Sequence, residues 1–464
     1  MRGSGGRQRS ANTLLRDVIK DAGVTYEALA CSLRAVAGEA GDSVRTNRSA
    51  IAHWVAGATP SEPTARYLTE ALSRQLRRPV TAREIGLVVS PSEHTPGWRL
   101  DTLTALNELG RDDLDIGRRR ALTATAYSVA ALAVPGSAWW TQMAGRSADR
   151  AKTSRPKVGR RDLEAVRDMA AMFSRIDQRH GGGHARTAVV QYLTTDVAAY
   201  LNGNFSDDRV RREMFSAAGE LAYLSGWMAF DNAEHALAQR YFTTAVSLAA
   251  EADDAPMAGH VLRAMAHQAV DLGHPGHSLK VAMASMDGAR YTLATRRERA
   301  LLGVVHARAL AAAGQKKAAV AASLHAEDDL SSARPGDEDP ARVFFFSEAS
   351  LAHETACTLR DIGDLNGAQQ QFLRSVRTRA ASSFTRTHAV TLGYLGAVQA
   401  RQGAMEEACA TWSRALDAME GIHSARARRT ASDMRRALSP VRGRGIPRVA
   451  ELDHRAAAYL AESV

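Results

Sequence analysis

Cysteine, aromatic rings and long apolar runs are all scarce in this chain. Three cysteines in 464 residues, Cys31, Cys357 and Cys409, stand far apart without metal-ligand spacing. A disulfide framework is therefore excluded, and buried free thiols of a reducing cytoplasm are expected. Phe, Trp and Tyr together make up 6% of the sequence. With plentiful Ala and Arg, that argues against a β-rich protein and for a largely helical one. No apolar run reaches the roughly 20 residues that span a bilayer. The nearest, Ala121 to Val134, follows Arg118-Arg119-Arg120 like a twin-arginine export signal, but it is internal and stopped by Pro135-Gly136. A buried helix is expected there, with no membrane role, and no secretory signal is expected in the Gly/Arg/Ser-rich arm 1–10.

Catalytic signatures are missing too. His353-Glu354 begins like a zinc-protease helix, but Cys357 stands where the second histidine belongs. His274 and His277 flank Pro275-Gly276 without further ligands to complete a metal site. The triglycine 181–183 lacks the Lys-Ser/Thr that a nucleotide-cradling loop requires. His260 and His267, seven apart on one helix face, are expected to pack or to line a groove. Nothing points to an enzyme, and neither cofactor nor metal is expected.

What is present is charge, unevenly spread. Residues 1–87 hold 13 Lys+Arg against 8 Asp+Glu, residues 88–160 hold 11 against 7, and residues 423–464 hold 9 against 4; the stretch 161–422 holds 27 against 31. The basic excess sits at the two ends around a mildly acidic centre, and a phosphate backbone is the expected partner of the N-terminal excess. At this length two or three domains are expected.

Residues 11–87 read as four or five short helices. Thr13 to Ala22 is one-faced and closed by Gly23, and Thr25 caps a second helix that runs at least to Leu33. Gly38 to Thr46 is a polar connection, Ser61 opens a helix through Leu76, and Thr81 to Glu84 matches a capping box. Between them, Thr46 or Asn47 can cap a helix whose Ala50, Ile51 and Trp54 form an apolar stripe. Gly57 and Pro60 end it. The remaining face is Asn47, Arg48, Ser49 and His53, the arrangement a helix needs to enter a major groove by its N-terminal end.

These residues resemble the phage-repressor-like (Xre-type) helix-turn-helix domain. The match is carried by Tyr-Glu-Ala-Leu-Ala (26–30), Ser-Ala-Ile-Ala-His-Trp-Val-Ala-Gly (49–57), Thr59-Pro60, and Arg78-Pro79-Val80-Thr81 with Gly86. The resemblance implies that Arg48, Ser49 and His53 face bases. It places Asn47, Thr46 and Tyr26 near phosphates, and Arg45 completes the DNA-binding set. Two departures stand out: the link between the second and third helices is long, and Val55 stands where the family often has an acidic residue.

Residues 88–160 read as a linker with helices: a Pro/Ser-rich exit, a helix from Trp98 to Leu109, and the adjacent Trp139-Trp140, one of which is expected to pack on another domain or subunit. Ala144 to Gly159, rich in Arg, Lys and Ser, is expected to be disordered and to hold the main boundary. From 161 to 440 a repeat emerges. A glycine is followed five residues later by Ala or Ser, often with a large residue four further on. The instances are Gly273 with Ser278, Gly314 with Ala319, Gly363 with Ala368 and Phe372, and Gly403 with Ala408, Trp412 and Ala415. Ala238, Phe242 and Ala245 keep the pattern without the glycine. These residues resemble the tetratricopeptide repeat, at spacings of 41, 49 and 40 rather than the family's usual 34. Such helix pairs stack into a curved solenoid with a concave binding face. Residues 441–464 read as a loop and a helix that caps the stack or joins a dimer.

The fold class expected is all-α, with an N-terminal helix-turn-helix domain followed by a tetratricopeptide-like solenoid. The combination resembles actinobacterial ligand-responsive regulators of sporulation and antibiotic production. It implies a cytoplasmic homodimer that binds double-stranded DNA and takes a peptide, small-molecule or protein effector in its groove. The alternative is an interaction scaffold whose helical head does not bind DNA.

Overall fold

The computed structural model describes residues 10–40, 42–87, 98, 100–115, 127–129, 133–149, 157–334, 338–441 and 447–462. Among them the chain is all-α, apart from one parallel pair of two-residue strands, β1 (Lys157–Val158) and β2 (Asn204–Phe205). No described helix is both long and apolar enough to cross a membrane.

The head consists of α1 (Thr13–Asp21), α2 (Tyr26–Glu39), α3 (Arg48–Val55) and α4 (Glu62–Leu76). Asn12, Thr25 and Asn47 cap the first three, each accepting from the backbone N–H three residues on. Leu15, Leu29, Leu33, Ile51, Tyr67 and Leu72 meet in a separate small core. Helix α2 is longer than expected: it runs through Gly38 to Glu39. Burying Val36 and Ala37 outweighs the cost of one helical glycine, about 1 kcal/mol. The link to α3 is accordingly shorter, 40–47. At the other end, Thr81 does accept from the Glu84 N–H at 3.2 Å, but a turn follows instead of a helix.

After the head come α5 (Thr102–Leu114), α6 (Ser137–Asp149), α7 (Arg160–His180) and α8 (Gly182–Tyr192), then five helical hairpins. The hairpins are α9 (Asp208–Asp231) with α10 (His235–Glu251), α11 (Ala255–Asp271) with α12 (Pro275–Ser285), and α13 (Arg296–Ala312) with α14 (Lys316–Ser331). Next are α15 (Glu348–Ile362) with α16 (Leu365–Thr378), and α17 (Thr385–Arg401) with α18 (Met405–Met419). The chain closes with α19 (Ala425–Leu438) and α20 (Pro447–Glu462).

The repeat pattern maps onto these hairpins. Gly273, Gly314, Gly363 and Gly403 form the turns of the last four, all with φ between +79° and +96°, where a Cβ is disfavoured. The first hairpin uses Ala233 in the same region, at φ +63°. The residues five beyond each glycine are fully buried, as are Phe242, Phe372 and Trp412. A Cβ on Gly396 would lie 2.5 Å from the Trp412 indole nitrogen, and one on Gly226 would lie 2.8 Å from the Phe242 ring. Small residues on one helix therefore make room for the large ring on its partner, and the Trp412 Nε1 donates to the Gly393 carbonyl at 3.0 Å. Each ring so buried contributes about 1.5–3 kcal/mol.

The region expected as a linker belongs to the array. Leu103, Leu106 and Leu109 of α5, with Tyr127 and Val129, share one continuous core with residues 158–351. Both tryptophans pack there: Trp139 sits edge-on to Trp98 at 5.4 Å, and the Arg290 guanidinium lies 4.9 Å over Trp140. Helix α6 runs to Asp149, and β1 pairs with β2, so the boundary expected at 144–159 separates no independent core. The proposed helix 121–134 lies mostly outside the described residues, as do 150–156. Helix α20 caps the array, with Val449, Leu452 and Ala456 buried in the last core.

The triglycine has a structural use. The Gly182 N–H donates to Asp231 at 3.0 Å, and the Gly183 N–H donates to the His423 carbonyl at 3.1 Å. A Cβ on Gly182 would lie 2.5 Å from the Met228 carbonyl oxygen. Because backbone rather than a mobile side chain must yield, Gly182→Ala is expected to destabilise the protein by about 1–3 kcal/mol. A urea-unfolding midpoint equal to that of the parent would refute this.

Candidate nucleic-acid interface and concave cavity

Helix α3 is built to leave one edge free. Ile51 and Val55 are buried, Trp54 packs against the head core, and the Arg34 guanidinium donates to the Thr46 carbonyl just before the helix. Gly57, at φ +102°, ends it, with the Ala58 N–H returning to the His53 carbonyl at 2.9 Å. Arg45, Asn47, Arg48, Ser49 and His53 are exposed, and Tyr26 is half-buried at the start of α2. Among the described residues neither Arg45 nor Arg48 has a carboxylate partner within ion-pair distance. Thr46 is the exception to the sequence-derived set: it is only 5% exposed and supports the turn instead of offering its side chain.

Through α2 and α4 the head is docked on the array, which no local sequence pattern announces. His274, in the turn between α11 and α12, places Nε2 2.7 Å from the Glu70 carboxylate of α4, and both side chains are buried. Tyr127 stacks on the His274 ring. Arg74 grips Glu39 through both nitrogens at 2.9 and 2.7 Å and Glu70 through Nε at 2.9 Å. Burial alone would raise the Glu39 pKa, but Arg74, His235 and Arg429 hold it below the usual range. Asn47, Arg48 and Ser49 lie outside this contact and remain open.

The array curls until its ends meet. Arg386 of α17 lies 3.0 Å from Asp177 of α7 and 3.2 Å from Asp231 of α9, all three being buried. The His423 N–H donates to the His180 carbonyl across the same closure at 2.9 Å. Within the curl lies a cavity with about 1070 Å³ of space free of protein atoms, part of it open to solvent. Tyr223, Trp227, Leu301 and Phe345 supply its apolar wall, and Arg263, Arg342, Arg379, Arg386 and Arg426 reach it against Asp177, Glu220 and Glu354. Phe345 and Arg342 come from the segment after Pro340, within the 49-residue spacing between Gly314 and Gly363, so the longest of the repeat links furnishes cavity wall. Glu354, which follows His353 in the zinc-protease-like start of its helix, receives Arg308 at 3.0 Å. His267 lines the cavity, while His260 lies behind Arg263.

Burial dominates the histidines. It pulls His235 down to about 4 and His353 to about 3, and it holds His260 and His267 below the ordinary value as well. An unfolded chain takes up protons at these sites below about pH 6.5, whereas the folded chain does so only at lower pH, about 4 at His235 and about 3 at His353. Stability therefore falls as pH drops from 6.5 towards 4, at up to about 1.4 kcal/mol per pH unit for each such histidine. Thermal melts at pH 8, 7, 6 and 5 are expected to give a plateau above 7 and a steep decline below 6.5. A melting temperature unchanged between pH 7 and 5 would contradict the neutral burial of these rings.

Among known proteins, the family described as the SP15 N-terminal domain matches residues 15–88. That span is the head, from α1 to the turn after α4. No curated protein and no solved structure matches the chain.

Proposed function

We propose that the protein is a sequence-specific DNA-binding transcription regulator whose helical array takes an effector in its cavity. The observation that carries this reading is the exposed row Asn47, Arg48, Ser49 and His53 at the start of a capped helix, in which Arg48 has no ion-pair partner among the described residues. Arg48 would fork onto a guanine edge, with Arg45, Asn47 and Tyr26 at phosphates. A homodimer would place two such helices about one helical turn of DNA apart.

Helix α11 supports a coupling of the two sites. Arg263 and His267 on it face the cavity, and the turn that ends it presents His274 to the head. An effector that prefers one position of α11 would shift the head between operator affinities, and only by that difference in preference. The test is recovery of bound genomic fragments by immunoprecipitation, followed by footprinting on a recovered site. Absence of any footprint in the parent protein would favour a scaffold that interacts with proteins alone.

A further inference from the structure

Four of the five arginines around the cavity fall into two groups, while the fifth, Arg426, lies over the Phe230 ring. Arg342 and Arg386 each sit between carboxylates: Arg342 lies 2.7 Å from Glu298 and 3.4 Å from Glu220, and Arg386 joins Asp177 and Asp231. Arg263 and Arg379 are different. Arg263 is 2% exposed, and its Nη2 meets only neutral groups, the Tyr223 hydroxyl at 3.0 Å and the His260 Nε2 at 3.2 Å. Arg379 is 8% exposed, and its Nη2 donates to the Ala349 carbonyl at 2.9 Å and the Ser375 hydroxyl at 3.1 Å. The Nε of each is buried without a partner, and among the described residues neither guanidinium has a carboxylate within ion-pair distance.

A buried guanidinium held only by neutral groups is costly, because nothing replaces the water it has lost. The strain is legible at Arg379, which burial draws down to about 10 despite the attraction of Glu354. His260 offers no relief to Arg263, since burial and the neighbouring Arg263 and Arg342 charges keep that ring neutral. A ligand bearing a negative group would convert both donors into charge-assisted hydrogen bonds. The wall around Arg263 is aromatic, with Trp227 and Tyr223 beside the guanidinium and Phe345 against His260. The carboxylates that also line the cavity, Asp177, Glu220 and Glu354, are held by Arg386, Arg342 and Arg308. Closure of the array by Asp177, Arg386 and Asp231 bounds this partly open cavity on one side, which suits a compact molecule better than an extended peptide.

We infer that the cavity binds a small organic anion, its carboxylate or phosphate held by Arg263 and Arg379 and its apolar body laid against Trp227 and Phe345. This deepens the effector-site reading above and is testable without DNA. The probe is 8-anilinonaphthalene-1-sulfonate, an aromatic anion, titrated into the full-length protein by fluorescence, with uncharged N-phenyl-1-naphthylamine as the comparison. The parent is expected to bind the anion saturably and more tightly than the neutral compound. Arg263→Met and Arg379→Met are each expected to weaken the anion about tenfold or more while leaving the neutral compound unchanged.

Circular dichroism melts establish that each variant is folded. Should one fail, the other carries the test, and displacement of the probe from the parent protein supplies a second measurement. Displacement by benzoate assigns a carboxylate ligand, and displacement by inorganic phosphate assigns a phosphate. Displacement by neither, equal affinity for the charged and neutral probes, or unaltered anion binding in the folded variants would overturn the proposal. None of these results depends on whether the head binds DNA.

Discussion

Replacing Arg386 with alanine is expected to lower the stability of the whole array by about 3–5 kcal/mol, the usual cost of removing one partner from a buried ion pair. The guanidinium is the only charge placed between Asp177 and Asp231 at contact distance among the described residues, and both carboxylates are almost wholly buried. Burial already raises Asp177 to about 6, with Arg386 as the main attraction that opposes it. Without that attraction the carboxyl rises further and is protonated near neutrality. A carboxyl whose folded pKa lies above its unfolded one adds stability as pH falls. The deficit of the variant should therefore be greatest at pH 7–8 and narrow towards pH 5, although the parent itself weakens over that window as its histidines titrate. Urea unfolding of both proteins across that range measures the gap. A gap that stays constant with pH would show that Arg386 acts through packing instead of charge.

The residues that close the array also show what sequence patterns miss. Glycines 273, 314, 363 and 403 and the buried Ala, Phe and Trp that follow them were legible, because a hairpin turn and a close helix approach impose their demands within a few residues. The edge of α3 was legible for the same reason: a cap, a stripe and a stop lie within thirteen residues of each other. By contrast, Arg386 meets Asp177 across 209 positions and His274 meets Glu70 across 204. A lone charge carries no mark of the partner it finds at that distance. The Arg and Ser content of the stretch 88–160 suggests solvation and hides its place in the array core. Leu103, Leu106 and Leu109, too few to build a core alone, are covered by the array. Arg263 and Arg379 carried no signal at all, since an arginine without a carboxylate stands out only once its surroundings are known.

The last result expected concerns the open edge of the head. Arg48→Ala should cost about 1–3 kcal/mol of discrimination at one base position of a recovered operator, which corresponds to a loss of roughly five- to more than a hundredfold. The side chain is exposed and without an ion-pair partner among the described residues, so its removal leaves the head core of Leu15, Ile51 and Tyr67 intact. The thermal melt should not move. Arg45→Ala should weaken all sequences alike and reduce the salt dependence of binding by about one unit of slope, because a phosphate contact carries no base identity. The two variants therefore separate base reading from backbone attraction in one protein with one fold. If Arg48→Ala binds the operator and unrelated DNA in the same ratio as the parent, α3 is not the reading element. The exposed row would then have to serve a different partner.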